Sequence, residues 1–168
     1  MRKRYRDTEN LVSGLKNFYK ACGEVKKMAE IGCAFGESTA IFAECDPGMH
    51  IYCVDTWALP VYFSCKDEFV RKHGTNPNIT IIQKPSVVAA STFADSSLDL
   101  VYIDADHMYD PVVADIRAWL RKVKPGGYIG GHDHYTNHYS QVPQAVLDTL
   151  GQSPDMVFED TSWIVKVR

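Results

Sequence analysis

Apolar residues recur at three- and four-residue steps through Leu11, Leu15, Phe18 and Tyr19, the period of an amphipathic helix, and Gly23 supplies its stop. Val25 to Ile31 then runs as a strand into Gly32. From Ser38 to Cys45 the helical spacing returns through Thr39, Ile41, Phe42 and Cys45, with Ser38 or Thr39 near its start. The stretch reads as strand, tight loop, helix. A second short apolar run, His50 to Val54, ends in Asp55 and is followed by a helix over Lys66 to His73. The turn signal Thr75-Asn76-Pro77-Asn78 introduces a third strand at Ile79 to Ile82.

The second half repeats the unit. Leu98 to Ile103 is a near-continuous apolar run ending in Asp104, and Pro111 to Val123 has the spacing of an amphipathic helix with proline in its first turn. Lys124-Pro125-Gly126-Gly127 breaks that helix and opens a strand through Tyr128-Ile129-Gly130-Gly131. Val142 to Leu150 suggests a last helix, and Met156 to Glu159 with Ser162 to Val167 an antiparallel hairpin around Asp160-Thr161. Strands alternating with helices predict an α/β doubly wound sheet, mostly parallel, with helices on both faces and the hairpin at its end. Residues 1–23 form the N-terminal helical segment, 24–168 the core, and 1–168 a single domain. Such sheets bind ligands outside the carboxyl ends of their strands, which singles out Glu30, Asp55, Ser86, Asp104 and the Gly131-His132-Asp133 turn.

Composition narrows the partners. At 168 residues, 45% hydrophobic and 23% charged, the chain has the make-up of one globular domain. A net charge of -3 offers no basic field for a nucleic-acid backbone, so no nucleic-acid partner is expected. No stretch approaches the roughly 20 apolar residues that cross a bilayer. The basic segment Met1 to Arg6 is not followed by an apolar signal core, so the expected location is cytoplasmic with no membrane partner. The five cysteines are odd in number, lack a C-x-x-C pair and mostly sit in apolar runs, the pattern of reduced, buried thiols. The hairpin and the aromatic loop residues are compatible with a homodimer without requiring one.

The loop after the first strand excludes two phosphate-binding motifs. A dinucleotide fingerprint, G-x-G-x-x-G, fails where Ala34 and Glu37 stand, and no Gly-Lys-Ser or Gly-Lys-Thr follows. Glu37 near the helix start also repels the phosphate that a helix dipole attracts. The loop suits a ligand without phosphate there, such as an adenosyl group with an amino-acid tail, and a carboxylate after the second strand can accept from both ribose hydroxyls.

Glu30-Ile31-Gly32-Cys33-Ala34-Phe35-Gly36 resembles motif I of class I S-adenosylmethionine (SAM)-dependent methyltransferases, E-x-G-x-G-x-G, with Ala34 in place of the central glycine. Tyr52-Cys53-Val54-Asp55-Thr56-Trp57, Tyr102-Ile103-Asp104-Ala105-Asp106-His107-Met108-Tyr109 and Lys124 to Asp133 extend the resemblance. Together they are similar to the small-molecule O-methyltransferases of macrocin and catechol type and to cephalosporin-hydroxylase-like proteins, over roughly residues 28 to 135. The resemblance implies a Rossmann-like methyltransferase sheet, SAM as cofactor and O-methylation of a small hydroxylated metabolite or sugar. It implies that Glu30 and the loop Gly32, Cys33, Ala34, Phe35 and Gly36 face the methionine moiety, that Asp55 takes the ribose, and that Ser86 and Val87 border the adenine. Ser38, Thr39, Thr56, Trp57 and Asp104 complete the implied cofactor set.

The same resemblance implies that Asp104, His132 and Asp133 hold a divalent metal. Two carboxylates favour Mg or Mn, and the imidazole also admits Fe, Ni or Zn. His107 stands where catechol-type relatives carry a lysine regarded as the base, and a neutral imidazole suits that task. Asp104 and His107 are thus the candidate catalytic pair. Alternatives stay open: Asp106 and His107 as helix caps, Asp104, His132 and Asp133 as loop-ordering groups without metal, and His134 and His138 as solvated loop residues. The acceptor walls are expected in the N-terminal helix, the Trp57 to Lys66 loop with Tyr62 and Phe63, and the Tyr135 to Gln141 loop. Two other classes fit parts of the sequence: a metal-dependent nucleotide-sugar glycosyltransferase, from Asp104-Ala105-Asp106, and a non-catalytic or oxygen-activating relative of the same fold.

Overall fold

The computed structural model of the chain describes residues 8–58, 63–135 and 140–168. The elements run α1 (Thr8–Cys22), β1 (Lys27–Ile31), α2 (Glu37–Cys45), β2 (His50–Asp55), α3 (Phe63–His73), β3 (Ile79–Gln83) and α4 (Ser86–Ala90). They continue through β4 (Leu98–Ile103), α5 (Tyr109–Leu120), β5 (Val123–Gly131), α6 (Val142–Leu150), β6 (Met156–Val157) and β7 (Trp163–Lys166).

Period-two alternation along the central strands sorts their side chains into two layers. Met28 of β1, Ile51 and Cys53 of β2, and Leu100 and Tyr102 of β4 pack against α1, α2 and α3, where Leu15, Phe18, Phe42 and Phe69 are buried. Ala29, Ile31, Val54, Val101 and Ile103 pack on the other side against α4, α5 and α6 through Ala89, Val112, Ile116, Trp119 and Val146. Tyr102 is wedged edge-on between Phe18 and Phe42, each ring centroid 5.1 Å away.

Among the described residues the sheet has seven strands in the order β3-β2-β1-β4-β5-β7-β6. β1 to β5 pair in parallel, and β7 pairs antiparallel with both β5 and β6. This is the doubly wound α/β arrangement with its antiparallel end. Chain order reverses between the neighbours β1 and β4, so the connections leaving their carboxyl ends diverge and open a crevice.

Several boundaries differ from the sequence reading. The helix expected over Pro111 to Val123 is shifted to Tyr109–Leu120, and Val123 instead opens β5. Its side chain is buried and its backbone pairs with Leu98, an attachment that helical spacing does not reveal. The β5 ladder then absorbs Lys124 to Gly127 through an irregularity opposite Leu98 to Leu100, with Gly126 at φ +83°. The one-turn helix α4 was not foreseen, because Ser-Val-Val-Ala-Ala is too short to show a period. β1 begins two residues later than Val25, where Asp99 accepts the backbone N–H groups of Lys26 and Lys27. No helix among the described residues is long and apolar enough to cross a membrane.

Candidate active site

A cavity of about 610 Å³ lies at the carboxyl ends of β1, β2 and β4, above the crevice where chain order reverses. Its first wall is the loop after β1. Gly32 bonds through its N–H to the carbonyl of Val54 at 2.8 Å, and Gly36 to that of Cys33 at 2.7 Å. Gly32 takes φ +89°, and a Cβ there would stand 2.3 Å from the backbone oxygen of Asp104. The loops after β1 and β4 touch at this point, which requires glycine.

Asp55 ties the first loop to the second strand. Its Oδ2 accepts the N–H of Ala34 at 2.9 Å and its Oδ1 the N–H of Trp57 at 2.8 Å. The Trp57 indole N–H returns a bond of 2.9 Å to the carbonyl of Ala34. Ala34 and Trp57 both adopt left-handed backbone, φ 43° and 47°, so this clamp holds two non-glycine residues in a costly conformation. The carboxylate is half-buried and lines the cavity, with lone pairs left over for a ligand. It is a loop clamp and a cavity wall.

Cys33, Ala34, Phe35, Ser38, Thr56, Trp57, Ser86, Val87, Asp104 and His107 line the same cavity with Gly32 and Asp55. Glu30, Thr39 and Gly36 are not among the residues that line it. Alternation in β1 aims Glu30, like Met28, into the layer of α1 to α3, where it has no exposed surface. Its two oxygens accept the hydroxyls of Ser38 and Thr39 in the first turn of α2. Burial raises its pKa from 4.5 to about 7 against the pull of those hydrogen bonds, and Asp104 and Asp55 add to the rise. Gly36 is turned toward His73, whose Nε2 lies 2.9 Å from the Gly36 carbonyl.

The acidic end is built by the turns after β4 and β5. His107 Nε2 stands 2.9 Å from Asp133 Oδ2 and 3.9 Å from Asp104 Oδ1. The Asp133 carboxylate raises the imidazole pKa above its ordinary value despite partial burial. Asp133 itself is strongly depressed: burial pushes its pKa up, but His107 and His132 pull it down further. Asp133 also has left-handed backbone, φ 60°. One ligand atom each from Asp104, His107 and Asp133 lie within 4.8 Å of one another, the spacing of a metal set. His132, expected as the third ligand, is buried with Nδ1 3.2 Å from Asp133 and 4.0 Å from Asp104, and Nε2 3.9 Å from Asp160. His107 and His132 thus both stand beside Asp104 and Asp133.

Asp106 does what a turn residue does, accepting the N–H of Met108 at 2.9 Å, while also bordering the cavity. His134 is half-buried, bonded through its N–H to the Thr161 carbonyl at 3.0 Å, and is not part of the lining. His138, Tyr62 and the side chain of Phe63 lie outside the described residues.

Leu11 and Leu15 of α1 line the cavity, on the helix expected to wall it; the sequence reading missed Tyr102 from β4 and above all Asp115. Asp115 was legible in principle. It stands three residues after Val112 and four before Trp119, so it interrupts the apolar stripe of α5 with a charge. It is 6% exposed, and burial lifts its pKa from 3.8 to about 6.

Residues 29–134 match the family described as Methyltransferase domain. A protein of Sinorhizobium fredii, the uncharacterized protein y4gI, is 26% identical over 118 residues, which cover 64% of this chain and 13% of that protein. An O-methyltransferase family protein from Burkholderia thailandensis superposes with a TM-score of 0.70 at 14% identity, covering 97% of this chain and 56% of that one. A TDP-rhamnose 3'-O-methyltransferase of calicheamicin biosynthesis superposes with a TM-score of 0.68 at 15% identity, covering 98% of this chain and 81% of that one. The chain therefore spans a small part of the curated relative and about half of the Burkholderia protein. At these identities the structural likeness is one of fold.

Proposed function

Because the chain belongs to the methyltransferase-domain family, we propose that it transfers the methyl group of SAM to a hydroxyl of a small acceptor, a hydroxylated metabolite or a sugar. The observation that carries this reading is Asp55, fixed by two backbone N–H groups at the cavity wall with acceptor capacity to spare for the paired hydroxyls of a ribose. The charge of the lining supports it. Glu37, Asp55, Asp104, Asp106 and Asp115 face the cavity with His107, and no lysine or arginine is among the described lining residues. That field suits a cationic sulfonium and disfavours a diphosphate, which weighs against the glycosyltransferase reading of Asp104-Ala105-Asp106.

SAM bound here supplies a methyl group on a sulfonium, open to in-line displacement by an acceptor oxygen. His107 is the group of this chain placed to take the acceptor proton. Its Nε2 faces Asp133, which orients the ring and stabilises the imidazolium, and this leaves Nδ1 as the nitrogen that receives a proton. Trp57, Tyr102, Leu11 and Leu15 wall the site with apolar surface that excludes water.

A second reading is favoured by the spacing of Asp104, His107 and Asp133. As ligands of a divalent cation they would supply Lewis acidity at the acceptor hydroxyl, and two carboxylates with one imidazole fit Mn or Fe at least as well as Mg. Assay of chelator-treated protein with and without Mg or Mn separates the two readings, because a base mechanism keeps its rate without metal.

Calorimetric titration with SAM and with its demethylated product, S-adenosylhomocysteine, tests the cofactor reading. Saturable binding is expected, weakened by about 30-fold or more in Asp55→Ala, which loses two hydrogen bonds to a charged group as well as the ribose acceptor. A folded wild-type sample that binds neither compound overturns it.

A further inference from the structure

We propose that Glu30, Cys33 and Cys53 form a binding site for a thiophilic divalent cation of the zinc class, set behind the cavity wall and separate from the group of Asp104, His107 and Asp133. It does not depend on the cofactor reading.

Sheet pairing assembles the three side chains. Cys33 and Cys53 lie far apart in the sequence and form no C-x-x-C pair, but β1 and β2 run in parallel with Glu30 opposite Cys53. Cys33 follows Glu30 in the turn that leaves β1, and its thiol points back at the strands. Its Sγ lies 3.4 Å from the carbonyl oxygen of Glu30 and 3.7 Å from that of Val54. The Cys53 thiol is within hydrogen-bonding reach of it. One carboxylate oxygen of Glu30 and the two sulfurs thus lie within 4.8 Å of one another, and among the described residues no other cysteine belongs to such a group. All three residues are buried, and Cys33 alone of them lines the cavity, from which an ion reaches the site.

Glu30 brings a negative charge into the interior with two hydroxyls for partners and, among the described residues, no cation. A carboxylate offers about four lone-pair positions, so the bonds from Ser38 and Thr39 orient it and leave capacity for an ion. Such outer partners are what a liganding carboxylate requires. Two sulfurs beside one oxygen select the ion: Mg and Ca take oxygen sets, whereas Zn and its heavier relatives take thiolates.

Burial pushes the Cys33 thiol well above its ordinary pKa, which makes it a poor nucleophile and redox group. A cation that bonds sulfur strongly displaces the thiol protons instead: both sulfurs bind as thiolates, and two protons leave to solvent. The empty site holds the single negative charge of Glu30. The filled one holds three anionic ligands around a divalent ion, again one net negative charge, so binding adds no uncompensated charge to the interior. Three protein ligands leave one position for a water, as in open zinc sites.

The test titrates the full chain, reduced and stripped of metal, with cadmium chloride, whose bond to thiolate absorbs in the ultraviolet. One equivalent is expected to saturate the thiolate-to-cadmium band, and zinc chloride to displace the cadmium. Cys33→Ser and Cys53→Ser are each expected to weaken binding by about 100-fold or more, since loss of an outer partner alone costs about 10- to 100-fold. Cys45→Ser removes a thiol outside the group and is expected to leave the affinity unchanged. Glu30→Gln keeps both thiols and is expected to weaken binding by about tenfold or more, which provides a test even where a serine variant does not fold. Absence of the band in wild type overturns the proposal, as does a band that survives in folded Cys53→Ser or an unchanged affinity in Glu30→Gln. Cadmium binding seen by calorimetry without the band places the ion at Asp104, His107 and Asp133, which carry no sulfur, and overturns it as well.

Discussion

Glu30→Gln isolates a buried charge whose effect can be worked from the structure. Glu30 has no exposed surface and, among the described residues, no cationic partner. Two hydroxyl hydrogen bonds, from Ser38 and Thr39, offset only part of its desolvation. Its pKa therefore rises from 4.5 to about 7 on folding. A carboxyl raised in this way binds its proton more tightly in the native state, so native stability falls as pH climbs from about 4.5 to about 7 and levels off above. At about 1.4 kcal/mol per tenfold change in proton concentration, that interval comes to about 3 kcal/mol. Glutamine cannot ionise and lacks this slope, yet it offers one acceptor and one donor to the two hydroxyls. Urea unfolding across that pH range is expected to show Glu30→Gln gaining on wild type as pH rises, by about 3 kcal/mol in total, with similar m-values. Stability curves that stay parallel would refute the burial argument, as would a gain that grows toward acid. Because Glu30 lies outside the cavity lining, S-adenosylhomocysteine affinity is expected to change by less than about threefold, whereas loss of a direct charged contact costs about tenfold or more.

Opposite outcomes are expected for two neighbours in the first loop. Gly32→Ala puts a Cβ 2.3 Å from the Asp104 oxygen at φ +89° and is expected to cost about 3 kcal/mol or more, read as a large drop in thermal midpoint. Ala34→Gly relieves a left-handed alanine and is expected to stabilise by up to about 1 kcal/mol in the same assay. His107→Asn is expected to lower turnover by about 100-fold or more while leaving S-adenosylhomocysteine affinity nearly unchanged; equal losses in both would assign the residue to cofactor binding.

Much of this architecture is local and was therefore legible along the chain. The apolar runs ending in Asp55 and Asp104 and the glycine turn at Gly32 place the strands and the site end of the sheet, because hydrophobic period and turn chemistry depend on near neighbours. The family resemblance lies in the same segments. What escaped depends on contacts between distant segments. Val123 belongs to β5 because Leu98 pairs with it, and α4 is too short to carry a period of its own. Asp115 becomes a cavity wall only once α5 lies beside the turn after β3.

The sequence by itself determined the order and kind of the elements, the carboxylates at the strand ends and the loop unsuited to phosphate. Tertiary structure alone decided which of those carboxylates meets the cavity. Glu30 and Asp55 occupy equivalent places in the sequence pattern, each near the end of an apolar strand. Strand alternation buries Glu30 beneath α2, while Asp55, at the last residue of its strand, is held at the cavity wall by Ala34 and Trp57. The same packing brings His107 beside Asp104 and Asp133 along with His132, since proximity in space, not spacing along the chain, sets which side chains share a site.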